Sequence, residues 1–102
     1  MLDIRFIREH PDLVQEGARK KRIDIDIQEL LALDEQRRSL TGQVENLKAQ
    51  RNKMSKEIPT LQAEARQVAI AQMKQVADES RALEGPLHEV ESAFEALMLR
   101  VP

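Results

Sequence analysis

From Leu30 onward the apolar positions fall into step. Leu30, Leu33, Arg37, Leu40, Val44, Leu47, Arg51, Met54 and Ile58 follow one another at intervals of 3, 4, 3 and 4 without a slip. This is the heptad pattern of a coiled coil, in which a narrow stripe of one helix meets a partner. A helix over Ile27 to Ile58 would run ~48 Å at about 1.5 Å per residue. Pro59 ends it, because proline lacks the N–H and crowds the preceding turn. Counted back from the far end, Val101, Leu97, Phe94, Val90, Leu87, Leu83, Ser80, Val76, Met73 and Ala69 step by 4, 3, 4 and 3 in the same way. Two stripes of matching length joined by the short PTLQA segment predict an antiparallel hairpin, since a short connection permits only antiparallel neighbours. Mutual burial of the stripes, rather than helix propensity, then supplies the stability.

Arg37, Arg51 and Ser80 interrupt the stripes. Polar residues at such positions fix register at a cost in stability, and an arginine can snorkel its head to the edge. Pro86, in EGPL, stands inside the second stripe, yet Leu83 and Leu87 keep the phase across it, so a kink rather than a break is expected.

Ahead of the hairpin the chain predicts a small head. Asp3 caps a short helix over Ile4 to Glu9, and HPDLVQEGARKKR restarts it with Pro11 in the first turn, where the missing N–H costs nothing. Leu2, Ile4, Phe6, Ile7, Leu13 and Val14 form its apolar face, and both phenylalanines of the chain are expected on apolar faces. The alternating IDIDI is too short and too charged for a sheet and reads as a connector. Asp26, with Glu29 three residues on, makes a capping-box-like start for the next helix. The predicted fold is therefore all-α: a long antiparallel two-helix coiled-coil hairpin with a small N-terminal helical head. One domain spans 1–102, with head and connector at 1–25, a first arm helix at 26–58, a tip turn at 59–63 and a returning arm helix at 64–101.

Composition narrows the chemistry. With 102 residues, 33% of them charged, and two phenylalanines as the only aromatic residues besides histidine, the chain buries a thin core. There is no cysteine, hence no disulfide or thiolate metal site. His10 and His88 form no ligand motif and read as surface or capping residues. Gly17, Gly42 and Gly85 lie in no phosphate-binding loop. The carboxylates read as solvated, with none placed for acid–base work. No catalytic and no metal-binding residue is predicted. No apolar run approaches the roughly 20 residues of a membrane span, and the start lacks a signal-peptide core, which makes the expected compartment the cytoplasm.

Charge adds a direction. Although the chain carries a net charge of -2, the segment from Lys48 to Lys74 holds Lys48, Arg51, Lys53, Lys56, Arg66 and Lys74 against Glu57 and Glu64, a local balance of +4. The segment Asp24 to Glu45 inverts this, with six acids against Arg37 and Arg38, as does Asp78 to Glu95, with six against Arg81. Such polarity attracts a polyanion to the tip of the hairpin and repels it from the base. A phosphate backbone fits, and without a stacking platform for single-stranded bases the reading favours a helical RNA stem read by shape. Charge that merely keeps a long hairpin soluble is the plain alternative. The run RKKR, Arg19 to Arg22, ends the head's second helix, where it either matches the helix dipole or makes a second contact to nucleic acid.

The stretches MLDIRFIREHPDLVQEGARKKR, DIDIQELLALDEQRRSL, QVENLKAQRNKMSKEIP and FEALMLRVP, in this order over the whole chain, resemble the N-terminal arm of bacterial-type seryl-tRNA synthetase. The resemblance implies a coiled coil that projects from a class II catalytic core and holds the long variable arm of tRNA(Ser), mostly through its backbone. It also implies a homodimer formed through the catalytic domain, whose arm reaches a tRNA bound mainly at the other subunit's active site. Arg51, Asn52, Ser55 and Lys56 match the approach to the tip and take a tRNA-binding role from the resemblance. Lys48, Lys53, Arg66 and Lys74 join them from charge and position alone. The family's class II motifs are absent, so ATP and Mg are expected in a catalytic domain outside these residues, and the chain reads as an excised, non-catalytic domain. The opposing reading is a structural or protein-interaction coiled-coil module.

Overall fold

A computed structural model describes residues 2–102 and consists of helices and turns. Helix α1 spans Ile4–Glu9, α2 Pro11–Lys20, α3 Ile27–Glu57 and α4 Ala63–Met98, with a 3₁₀ turn at Ile58–Thr60. The fold is all-α: α4 runs antiparallel to α3 as a helical hairpin, behind a small N-terminal helical head. The chain divides into two compact units, one made of the chain up to Arg38 together with His88–Pro102, the other of Ser39–Leu87.

Local chemistry sets the helix ends. The Asp3 carboxylate accepts from the Arg5 N–H at 3.0 Å and opens α1. The His10 N–H donates to the Phe6 carbonyl at 2.9 Å, closing α1, and Pro11 starts α2 in the following position. At the start of α3 Asp26 accepts from the Gln28 N–H at 2.9 Å. Glu29, expected to return the bond, makes no side-chain hydrogen bond among the described residues. Gln15 of α2 takes up the backbone instead: its amide donates to the Ile25 carbonyl at 2.9 Å and accepts from the Ile27 N–H at 2.8 Å. One side chain thus ties the connector to the head and caps α3.

The first unit holds the core. Ile7, Val14, Ala18, Ile25, Ile27, Leu30, Phe94 and Val101 are buried together. Burying side chains of this size contributes roughly 1.5–3 kcal/mol each. Beside them lies Asp34, with no exposed surface, which corrects the expectation that the carboxylates are solvated. Arg8 of α1 donates to both its oxygens, at 2.7 and 2.9 Å. Arg37 adds a bond at 2.9 Å and Arg38 approaches to 3.3 Å. The Arg37 guanidinium also lies 4.4 Å from the centre of the Phe94 ring of α4, a cation–π contact. Arg37 therefore does not snorkel out of an apolar stripe; a stacked ion pair fills that level. Phe6, expected on the apolar face, is 37% exposed and packs its ring on His10 with the centroids 4.9 Å apart.

In Ser39–Leu87 the stripes are half-buried, and Val76, 8% exposed, is the one hydrophobic residue of this unit that is fully buried. Every stripe position of α3 and α4 is at least half-buried except Arg51. The helix bounds shift slightly from expectation. α3 closes at Glu57 rather than 58, where the chain tightens into the 3₁₀ turn and Pro59 has no N–H to continue the helical ladder. The Thr60 hydroxyl donates to the Glu57 carbonyl at 2.6 Å and satisfies the open helix end. α4 begins at Ala63 and ends at Met98, short of the expected 101, so that Leu99 and Arg100 turn and Val101 enters the core. Helix α4 passes through Pro86 unbroken.

Two predictions follow from these contacts. Hydrogen bonds from Arg8, and then Arg37, hold the Asp34 carboxyl below its ordinary pKa against the opposing effect of burial. A depressed folded-state pKa contributes stability that is full at neutral pH and lost as the pH falls below about 4 toward the folded value. Asp34→Asn is expected to cost about 2–3 kcal/mol at pH 7, less than a fully buried pair because the guanidiniums reach water, and to flatten the acid limb of stability, measured by urea unfolding from pH 7 to 3. Ala63 holds a left-handed φ of 49°. Ala63→Gly is expected to stabilise by up to about 1 kcal/mol in the same assay.

Candidate nucleic-acid interface

The last turns of α3 carry most of the basic segment. About 100° of rotation per residue places Lys48, Arg51, Asn52 and Ser55 on one face, with Lys56 on its border. Lys53 lies about 60° beyond Lys56, toward the back of that face. Arg66 stands in the first turns of α4, and Lys74 lies about 16 Å further along the axis than Ala63 at ~1.5 Å per residue. The helix thus gathers Lys48, Arg51, Asn52, Ser55 and Lys56 into one patch, while Lys53 and Lys74 stand apart from it.

All eight of these side chains are exposed. Among the described residues none of them takes part in a side-chain hydrogen bond or an ion pair. Five arginines elsewhere are engaged: Arg8, Arg37 and Arg38 with Asp34, Arg19 with Glu16 and Arg81 with Asp78. The cations of the basic segment make no contact ion pair with a carboxylate among the described residues.

Arg51 differs from the other seven in its place on the stripe. It holds a stripe position, yet it is exposed, and it lines a recess of about 230 Å³ with Val44, Leu47, Lys48, Val76, Ser80 and Glu84. Two polar residues of the stripes, Arg51 and Ser80, meet at this hollow. A leucine would cover apolar surface that the guanidinium leaves in water.

Other chemistry is not supported by the donor set. Among the described residues no group of three or more His, Cys, Asp or Glu is placed to hold a metal ion, and the exposed carboxylates and scattered glycines do not fit a magnesium-bound nucleotide. Among the described residues no helix is long and apolar enough to cross a membrane. The Asp34 cluster is the feature that the heptad reading missed. Its signal was the pattern Asp34, Arg37, Arg38, a carboxylate with arginines three and four residues on, beside a phenylalanine in the opposing stripe.

The fold and the site together are a helical hairpin with a basic, unpaired surface at the end of its first helix. The sequence profile of the seryl-tRNA synthetase N-terminal domain matches residues 1–102, and the chain belongs to that family. It is 48% identical over its full length to a serine–tRNA ligase of Thermomicrobium roseum, covering 23% of that protein. It is 39% identical to that of Deinococcus radiodurans, covering 24%, and 35% identical to that of Symbiobacterium thermophilum, covering 25%. The chain spans about a quarter of the length of these curated relatives.

Replacing Arg51 by leucine tests the trade between seam and surface. Arg51→Leu is expected to raise stability by about 1 kcal/mol by extending the apolar stripe, measured by thermal unfolding, whereas Lys56→Ala is expected to stay within about 0.5 kcal/mol of the parent chain.

Proposed function

We propose that this chain is the tRNA-binding arm of a serine–tRNA ligase and that it grips the long variable arm of tRNA(Ser). The observation that carries this reading is the local charge of +4 over Lys48 to Lys74, borne by exposed and unpaired side chains, in a chain of net charge -2. Lysine and arginine contacts to phosphate supply affinity and fix orientation without reading sequence. Arg51 and Lys56 hold phosphates, with Lys48, Lys53, Arg66 and Lys74 adding to the field. Asn52 and Ser55 offer neutral hydrogen-bonding groups to phosphate or ribose from the same face. A stem recognised through its backbone is chosen by shape, which suits a tRNA class set apart by the length of one arm.

The mechanism is positioning. Binding energy from the arm contacts orients the distant acceptor end toward an active site. Serylation with ATP and Mg belongs, on this reading, to a catalytic domain through which the enzyme forms a homodimer, in the cytoplasm. The residues of this chain hold and orient the RNA and carry no chemical step.

Fluorescence anisotropy with a tRNA carrying a long variable arm, beside the same tRNA with that arm deleted, tests the reading. Without the contacts of a catalytic domain, the dissociation constant of the chain is expected at roughly 10⁻⁴ to 10⁻⁶ M. A preference for the long-armed tRNA that fades with salt, and a three- to tenfold loss in Arg51→Ala/Lys56→Ala, is the expected outcome. Equal binding to both RNAs, or none at low salt where screening is weakest, would sink it in favour of a structural or protein-interaction coiled coil.

A further inference from the structure

We propose that the turn formed by Arg19, Lys20, Lys21 and Arg22, at the end of α2, is a second phosphate-binding surface for RNA, separate from the basic end of α3. The class of partner rests on the RNA-binding reading above; the site rests on observations of its own.

Four cations follow one another and all are exposed. Only Arg19 has an ion-pair partner, Glu16 at 2.8 Å, and both side chains of that pair are largely in water, 76% and 44% exposed. Among the described residues Lys20, Lys21 and Arg22 make no ion pair, with Asp24 the nearest further acid along the chain. Helix α2 closes with the Arg22 N–H donating to the Arg19 carbonyl at 3.0 Å and the Ile23 N–H to the Ala18 carbonyl at 2.9 Å. That closing pattern places one residue in the left-handed region, usually a glycine, which has no Cβ to clash. Here the residue is Arg22, with φ 57°.

An arginine in this conformation is disfavoured, and its exposed head has no ion pair to offset the strain. Lys20 and Lys21 already supply the positive charge that the helix C-terminus favours. Backbone strain kept beneath a free cation is the kind of local conflict that marks a binding residue. Consecutive cations on an open turn suit an extended chain of phosphates rather than one enclosed anion. A membrane surface fits less well: Leu13, 61% exposed, is the one large exposed apolar residue of α2, too little to enter a lipid boundary.

The test uses the full chain and the long-armed tRNA in the anisotropy assay, with Arg22→Gly, Lys20→Ala/Lys21→Ala and Arg51→Ala/Lys56→Ala. Arg22→Gly removes strain and charge together. It is expected to raise the unfolding midpoint by about 2–5 °C while weakening tRNA binding about threefold and lowering the slope of log affinity against log salt by about one. Lys20→Ala/Lys21→Ala leaves the turn residue intact and is expected to weaken binding by at least as much. Unchanged affinity in either variant overturns the proposal. Loss in Arg51→Ala/Lys56→Ala alone overturns it while the function proposed above stands; loss in the α2 variants alone does the reverse for the α3 surface. Binding to vesicles of phosphatidylserine and phosphatidylcholine that these variants abolish, with RNA affinity unchanged, would overturn it in favour of a lipid surface.

Discussion

A carboxylate without exposed surface organises the first unit of this chain. Asp34 accepts a two-pronged bond from Arg8, a further bond from Arg37 and a longer approach from Arg38. An unpaired charge at such a site would be untenable, so the arginines must stay where they are. Arg8 thereby fastens α1 to α3, and Arg37, stacked on Phe94, fastens α3 to α4. The arrangement is directional where the surrounding apolar contacts are not: Ile7, Leu30 and Val101 could pack in several ways, but a planar guanidinium meets a carboxylate in few. It leaves one blemish, the buried Arg37 Nε without a hydrogen-bond partner, which the ring face of Phe94 partly offsets.

Ser39–Leu87 is built on a different principle. Its stripes are half-buried and contain no ion pair comparable to the Asp34 cluster, which leaves regular heptad contacts and helical hydrogen bonding to hold it. Thin packing of this sort lowers the free energy of local opening. It also tolerates polar residues in the seam, because Arg51 and Ser80 displace little buried area. The same thinness keeps the cations of α3 in water, without the carboxylate partners that would neutralise them. The RNA-binding role proposed for this surface calls for charge held at set intervals on a stiff support rather than an enclosed pocket, and a long helix has that form.

The hairpin was legible in the amino-acid sequence because heptad spacing depends only on the rotation per residue of an α-helix. The stripe positions, the Asp3 cap, Pro11 at the start of α2 and the basic segment were all readable from local rules. Exposure of the eight candidate residues also follows from their places off the stripe, with Arg51 as the exception. What stayed hidden depends on residues far apart in the chain. Arg8 and Asp34 are 26 positions apart, Gln15 caps a backbone 12 positions away, and Arg37 meets Phe94 only because α4 returns. No periodicity encodes these pairings. Nor could composition say that Arg22 rather than a glycine occupies a left-handed turn, since that conformation is set by how α2 closes against Ile23. The sequence by itself determined the helices, their stripes and the direction of charge, because these arise from neighbours within two turns. Only the tertiary structure decided which carboxylate is buried, which arginines serve the core and which remain free, because burial is a property of the whole packed unit.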